Sequence, residues 1–68
     1  MSKSYRIITK IGVSTVSFSD AVRTAVDEEK NSKAISWFEV VEQRGRIDRD
    51  GKVEFQVTIK LGYRDASA

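Results

Sequence analysis

Residues 48–64, with the sequence DRDGKVEFQVTIKLGYR, contain a turn signal followed by an alternating strand. Asp50-Gly51 between two strand-like segments predicts a β-hairpin at residues 48–51, because glycine tolerates the positive φ that primed hairpin turns require. The strand after the turn, roughly residues 52–64, alternates in polarity with the period of two that places successive side chains on opposite faces of a sheet. One face carries Val53, Phe55, Val57, Ile59, Leu61 and Tyr63, and the other carries Glu54, Gln56, Thr58, Lys60 and Arg64.

The strand before the turn, residues 36–47, fits this assignment of faces only in part. Directly opposed residues of an antiparallel hairpin lie on the same side of the sheet. Phe38 and Val40 therefore belong with the apolar set of the next strand. The opposite face, which includes Gln56, then carries Trp37, Glu39, Val41 and Gln43. The same alternation places Glu42 and Arg44 on the apolar side, which requires either a β-bulge or a subunit contact.

The first half of the chain predicts one strand and one helix. Residues 5–11 are rich in β-branched side chains and end at Gly12, which predicts a strand that stops there. Residues 14–17 lead into a helix, with Ser17 as its N-cap and Asp20 in the position of a capping-box acid. The helical pattern fades at residues 31–33. Its apolar stripe, which has the helical period of 3.6, consists of Phe18, Ala21, Val22, Ala25 and Val26.

These elements predict an α+β fold, in which a β-α-β-β chain forms one domain over residues 1–68 and its sheet covers one helix. A domain of 68 residues buries only about 60% of the surface that its unfolded chain exposes. The sequence contains no cysteine and no histidine, so disulfides and the commonest metal ligands cannot add stability. We therefore expect the chain to be stable only as an oligomer.

Composition and charge argue against several classes of function. The 12 basic and 10 acidic residues are mixed along the chain, without the basic stripe that nucleic-acid binding usually needs. No apolar run approaches the roughly 20 residues of a membrane span, and the first six residues lack the apolar region of a signal peptide. We expect a cytoplasmic protein with no membrane or nucleic-acid partner. Without histidine, cysteine or a Gly-rich phosphate loop, we expect neither an enzyme nor a metal site.

Trp37 is the most informative single residue. A tryptophan in a strand is more often part of a core, but Trp37 falls on the polar face, where an indole indicates a subunit contact or a stacking platform for a planar ligand. Gln56 has an amide that can donate and accept; alone it would be a solvated glutamine, but beside an exposed tryptophan it is a candidate for contacting the edge of a heterocycle. Guanidinium groups near the sheet ends suit phosphate, although solubilising arginines are an equally good interpretation. These arginines are Arg44, Arg46, Arg49 and Arg64.

The order of six short segments resembles the dodecin family. The segments are YRII at 5–8, GVS at 12–14, WFEV at 37–40, RG at 44–45, FQV at 55–57 and GYR at 62–64. WFEV and FQV at this separation are the specific part of the resemblance, which covers essentially the whole chain. The resemblance implies a β-α-β-β subunit whose curved antiparallel sheet wraps around the helix, with twelve subunits in a hollow shell.

The resemblance also implies a flavin-binding function without catalysis. Dodecins hold flavins in pairs at subunit boundaries, between tryptophans and with a glutamine at the isoalloxazine edge; these roles transfer to Trp37 and Gln56. Arginines that match Arg44 and Arg64 are associated with the phosphate-bearing parts of FMN or coenzyme A. The family is regarded as a store for riboflavin, FMN or FAD that quenches the bound flavin. The remaining members of the expected cofactor-binding set are Glu42 and Arg46.

Two features depart from the family pattern. Val13 stands where threonine is expected, and residues 31–36 form a segment one residue shorter, just before Trp37. Both affect the expected ligand preference more than the fold. Two alternatives from other classes stay open: a structural or coenzyme A-binding shell without flavin, and a small nucleic-acid-binding sheet that stacks bases on Trp37.

Overall fold

The computed structural model describes residues 4–65, which form one helix and one antiparallel sheet of three strands. The elements in chain order are β1 (Tyr5–Ser14), α1 (Phe18–Lys30), β2 (Ile35–Ile47) and β3 (Val53–Arg64). β3 is the central strand, and β1 and β2 pair with its two edges. The predicted β-α-β-β chain with a three-stranded antiparallel sheet is confirmed. Within residues 4–65, no helix is long and apolar enough to cross a membrane.

Gly12 does not end the first strand, so that prediction was wrong. β1 continues through Gly12, which pairs with Val57, as far as Ser14. A Cβ at Gly12 would overlap the backbone carbonyl of Ala21 on α1. Glycine is needed here because strand and helix backbones approach closely, and a glycine of this kind looks in sequence like a turn glycine.

Two serines organise the start of α1. Oγ of Ser17 accepts a hydrogen bond from the backbone N–H of Asp20 at 3.0 Å, which confirms the predicted N-cap. The Asp20 carboxylate does not complete a capping box, because it accepts a hydrogen bond from Oγ of Ser14 at 2.7 Å. Oγ of Ser14 also accepts from the backbone N–H of Val16 at 2.9 Å. The buried Ser14 therefore joins the end of β1 to the first turn of α1.

The core is small and lies between α1 and the central strand. Its members are fully buried, and α1 supplies only alanine, which lets the helix lie close to the sheet. At the start of α1, Phe18 packs edge-to-face on Phe55 with 5.0 Å between ring centroids. The helix packs chiefly on β1 and β3, so β2 is largely uncovered. Within residues 4–65, the buried hydrophobic residues are Ala21, Ala25, Val57, Ile59 and Leu61.

A β-bulge in β2 reverses the alternation of its side chains. The pairing of β2 with β3 is irregular between Val40 and Glu42, which leaves Val41 as an extra residue. Before the bulge, Val40 pairs with Ile59 on the helix side; after it, Glu42 pairs with Thr58 on the opposite side. An inserted residue moves every later side chain of a strand to the other face.

The bulge accounts for the polar residues that did not fit the alternation. Arg44 pairs with Gln56, so it lies with Glu42 on the face away from α1, as a bulge would require. Gln43 was predicted to share a face with Trp37, and that prediction was wrong: Gln43 pairs with Val57 on the helix side. The cause is the same bulge, since Gln43 follows the inserted residue.

The turn between β2 and β3 occupies residues 48–51 as predicted, but it is not a primed turn. The Gly51 N–H donates to the Asp48 carbonyl at 3.0 Å, and the Asp48 N–H donates to the Lys52 carbonyl at 3.0 Å. Gly51 has a φ of +81°, the only positive φ in residues 4–65, so this is a three-residue loop with one glycine in the left-handed region. The Asp48 carboxylate accepts from the N–H groups of Asp50 and Lys52, at 2.9 Å each.

Candidate functional site

The sheet face away from α1, called the outer face below, carries every predicted cofactor-binding residue. The register and the bulge together determine this placement. β1 contributes Tyr5, Ile7, Thr9, Ile11 and Val13; β2 contributes Trp37, Glu39, Glu42, Arg44 and Arg46; β3 contributes Glu54, Gln56, Thr58, Lys60, Gly62 and Arg64.

The Trp37 indole lies against Gly62 at one end of the outer face. Trp37 pairs directly with Gly62 across the strands, just after a second irregularity in β2. A Cβ at Gly62 would overlap ring atoms Nε1, Cε2 and Cζ2, so the absence of a side chain allows the ring to lie on the β3 backbone. Trp37 is 41% exposed. An aromatic ring supported on one side and open to solvent can stack on a planar ligand.

Gln56 lies further along β3, in a polar cluster. Its Nε2 donates to Oε1 of Glu54 at 3.0 Å. The same oxygen is 3.0 Å from Nε of Arg46, which faces Glu54 across the hairpin. Sequence analysis singled out Gln56 and Arg46 but missed Glu54, although its position two residues from Gln56 on the same face was a usable signal.

The remaining arginines are spread along the outer face and the turn. Arg44 lies beside Gln56 in the register, and its Nε is 3.8 Å from Oε1 of Glu42. Both side chains of this pair are well exposed, so the pair adds little stability. Arg64 lies at the Trp37 end, opposite Tyr5 of β1. Arg49 is in the turn and is not part of the outer face.

One copy of the chain does not bring Trp37 and Gln56 together. Gly62, which lies under the indole, is six positions from Gln56 on β3. A strand rises about 3.3 Å per residue, so the two positions are roughly 20 Å apart. This distance exceeds the length of an isoalloxazine ring system. One isoalloxazine ring can therefore lie against Trp37 and Gln56 together only if the two side chains belong to different copies.

Large apolar areas are exposed on both sides of the sheet. On the outer face, β1 presents Ile7, Ile11 and Val13, and Ile11 is 62% exposed. On the helix side, an open groove of about 520 Å³ runs between α1 and β2, and Phe38 in it is 51% exposed. Contiguous apolar surface on a small protein marks an interaction site. The apolar residues that line the groove are Val22, Val26, Phe38 and Val40.

Ion pairs on the helix side join β1 to the end of α1, away from the outer face. Lys10 Nζ lies 2.6 Å from Oε1 of Glu28 and 2.9 Å from Oε2 of Glu29. These hydrogen bonds raise the pKa of Lys10. The hydrogen bonds from Lys10 and then Lys33, whose Nζ is 3.2 Å from Oε1 of Glu29, lower the pKa of the Glu29 carboxyl. The cluster is structural, because none of its members reaches the predicted site.

Comparison with known proteins gives one family. The family model named Dodecin matches residues 4–65. A dodecin of Thermus thermophilus is 34% identical over 65 residues, which are 94% of each chain. The solved dodecin of Streptomyces coelicolor is 37% identical, with a TM-score of 0.86 over 97% of this chain and 96% of its own.

A third relative carries calcium in its name. The solved calcium dodecin of Mycobacterium tuberculosis is 26% identical, with a TM-score of 0.86 over 96% of this chain and 94% of its own, and it is described as having a novel calcium-binding site. In residues 4–65 of the present chain, no group of three or more histidine, cysteine, aspartate or glutamate side chains could hold a metal ion.

Proposed function

The chain belongs to the dodecin family, and we propose that it binds and stores a flavin between copies of itself. The family consists of small binding proteins rather than enzymes. The observation that carries the proposal is the Trp37 indole, which rests on Gly62 and is 41% exposed on a face that the chain's own core does not use. Such a ring is a platform for a planar aromatic ligand.

The storage form is a closed homo-oligomer, a hollow shell of twelve copies as in the family pattern. Two features of the single chain support assembly. Its buried core in residues 4–65 is limited to five side chains, while Ile11, Phe38 and other large apolar side chains are exposed. The roughly 20 Å between Gly62 and Gln56 also means that one isoalloxazine ring meets both Trp37 and Gln56 only at a boundary between copies.

In the proposed site, the isoalloxazine ring stacks on Trp37, and Gln56 of another copy contacts the edge of the ring. The guanidinium groups of Arg44, Arg46 and Arg64 bind phosphate where the ligand carries it, and Glu42 lies beside Arg44 on the same face. The ligand is riboflavin, FMN or FAD. Coenzyme A carries phosphates of the same chemistry, so it is a further candidate ligand for the arginines.

The proposed role is protection rather than catalysis. An indole in van der Waals contact with a light-excited flavin can donate an electron to it and take the electron back, which returns the ring to its ground state without emission. Indoles on both sides of a flavin pair would also leave no ring face open to a hydride donor. A cytoplasmic location remains a prediction from the sequence.

The test separates binding from quenching with two variants of one residue. Riboflavin is titrated into wild type, Trp37→Ala and Trp37→Phe, with calorimetry for affinity and emission at equal absorbance for quenching. Because stacking on one aromatic platform is worth about 1–3 kcal/mol, Trp37→Ala should lose roughly tenfold or more in affinity. Trp37→Phe should keep much of the affinity and lose most of the quenching, because a phenyl ring is a poor electron donor.

Four results would contradict the proposal. Unchanged affinity in Trp37→Ala would mean that the indole serves packing alone. Bright emission from bound flavin in wild type would exclude the stacked geometry. Steady oxidation of NADH or NADPH by the flavin-loaded protein would make it an enzyme. Coenzyme A binding without riboflavin binding would favour the alternative of a coenzyme A-binding shell.

A further inference from the structure

Glu54 is the one acidic side chain that contacts Gln56 in the part of the chain that the structure describes. Its Oε1 accepts from Nε2 of Gln56 at 3.0 Å and lies 3.0 Å from Nε of Arg46. All three side chains are on the outer face, in neighbouring positions of β2 and β3. Arg46 is the more exposed partner, and Glu54 lies between it and Gln56. These two contacts link Arg46 to Gln56 through Glu54.

The chemistry of this contact determines which way the Gln56 amide points. An ionised carboxylate can only accept hydrogen bonds, whereas a glutamine amide donates from its nitrogen and accepts at its oxygen. The nitrogen of Gln56 must therefore face Glu54, and the carbonyl oxygen must point away from it. In the described residues this hydrogen bond is the one interaction that distinguishes the two ends of the Gln56 amide.

The surroundings leave the carbonyl oxygen of Gln56 free for a ligand. On the β1 side, the register neighbour of Gln56 is Val13, whose side chain has no hydrogen-bonding group. On the β2 side, the neighbour is Arg44, whose guanidinium is directed towards Glu42. Within residues 4–65, the hydrogen bond to Glu54 is the one that involves the Gln56 side chain.

We propose that Glu54, held by Arg46, positions Gln56 as a hydrogen-bond acceptor, so that the site selects planar ligands with an N–H donor at the ring edge. The inference rests on the proposed flavin-binding function and adds the direction of the hydrogen bond. The N3–H group of an isoalloxazine ring is such a donor. Glu54 is a positioning residue, since it acts through Gln56 and does not itself contact the ligand.

A double-mutant cycle tests whether Glu54 acts through Gln56. Riboflavin affinity is measured for wild type, Glu54→Ala, Gln56→Ala and the double variant; riboflavin carries no net charge, so loss of the Glu54 charge has little direct effect. With Gln56 present, Glu54→Ala should weaken binding about fivefold, the size of one hydrogen bond. With Gln56 already removed, Glu54→Ala should have no further effect. Glu28→Ala, which removes a carboxylate from the helix side, is the matched control and should not change affinity.

A second ligand tests the direction of the hydrogen bond. 3-Methylriboflavin has no N3–H donor, and wild type should bind it roughly tenfold more weakly than riboflavin, because the Gln56 oxygen is then left without a partner. Glu54→Ala should reduce this preference. An equal loss from Glu54→Ala in both backgrounds, no loss in either, or equal affinity of wild type for the two flavins would overturn the inference. If wild type binds neither flavin, the proposed function itself fails, an outcome distinct from these three.

Discussion

The two faces of the central strand β3 differ in whether contacts within one copy of the chain account for their residue types. On the helix side, Val57, Ile59 and Leu61 are fully buried under α1. On the outer face, Gln56 and Lys60 alternate with them along the same backbone, and their cross-strand neighbours belong to the two edge strands. Contacts within one copy of the chain account for the apolar residues on the helix side. On the outer face, Trp37, Gln56 and the exposed arginines lie away from the core, and we propose that another copy or a ligand covers them.

If one copy of the chain were stable by itself, the outer face would need no second copy to cover it. We expect no folded monomer, because the core within residues 4–65 contains five buried hydrophobic side chains and the sequence offers neither a disulfide nor histidine for a metal site. Native mass spectrometry at low micromolar concentration should show a large closed oligomer, with twelve copies expected. Thermal unfolding should depend on protein concentration. A monomer with a cooperative, concentration-independent transition would contradict this expectation.

A matched pair of isoleucine substitutions measures how much stability comes from the buried core of the helix side. Ile59→Ala removes a fully buried side chain from the core and should lower the free energy of unfolding by about 2–5 kcal/mol. Ile47→Ala makes the same chemical change at a side chain that is 66% exposed, where a change within about 0.5 kcal/mol is expected. Chemical denaturation of both variants measures the two losses in free energy of unfolding. Similar losses would show that the buried side does not dominate stability.

The arginines of the outer face should distinguish ligands by phosphate. Arg44→Ala and Arg64→Ala should weaken FMN binding by roughly tenfold or more, since a hydrogen bond to a charged group is worth about 1.5 kcal/mol at its lower end. Riboflavin binding should change little, and the effect on FMN should shrink in high salt. Arg49→Ala in the turn is the matched control. An equal response of FMN and riboflavin would assign the two arginines to assembly instead.

The smallest effect is expected from the ion pairs on the helix side. The lowered pKa of Glu29 means that its pairing adds stability fully above the ordinary glutamate pKa and loses it as the pH falls through the lowered value. The raised pKa of Lys10 means that its pairing adds stability below the ordinary lysine pKa and loses it as the pH rises through the raised value. Glu29→Gln should therefore lower the melting temperature slightly at neutral pH and flatten its decline in acid. Identical profiles for wild type and Glu29→Gln would exclude the ion-pair effect.

Much of the fold could be predicted because its signals are local. The apolar stripe of α1, the Ser17 cap and the 48–51 turn each depend on residues a few positions apart, and all three are present in the structure. The prediction that β1 ends at Gly12 was wrong. Glycine is required there by the close approach of the Ala21 backbone, which is distant in sequence and which no local pattern reveals. The bulge at Val41 was visible only as a misfit in the alternation, and its position could not be read from the residues themselves.

The candidate site was predictable as a set of residues but not as an arrangement. Trp37 and Gln56 were found because an indole and an amide share a polar face, yet their separation along β3 depends on register. The contact of Glu54 with Gln56 was missed for a related reason, since it requires knowing the rotamers of two side chains on one strand. Contacts between two copies cannot be predicted from the local pattern of one sequence.

The bare backbone at Gly62 has a consequence for engineering. Any side chain at this position would occupy the volume that the Trp37 ring now fills, so a single methyl group is enough to push the indole off its support. Gly62→Ala should therefore displace the Trp37 ring while leaving the core residues on the helix side unchanged and the tryptophan in the sequence. Under the proposed function, this variant separates the position of the indole from its presence in the sequence, and a loss of riboflavin affinity would assign the binding to the supported ring.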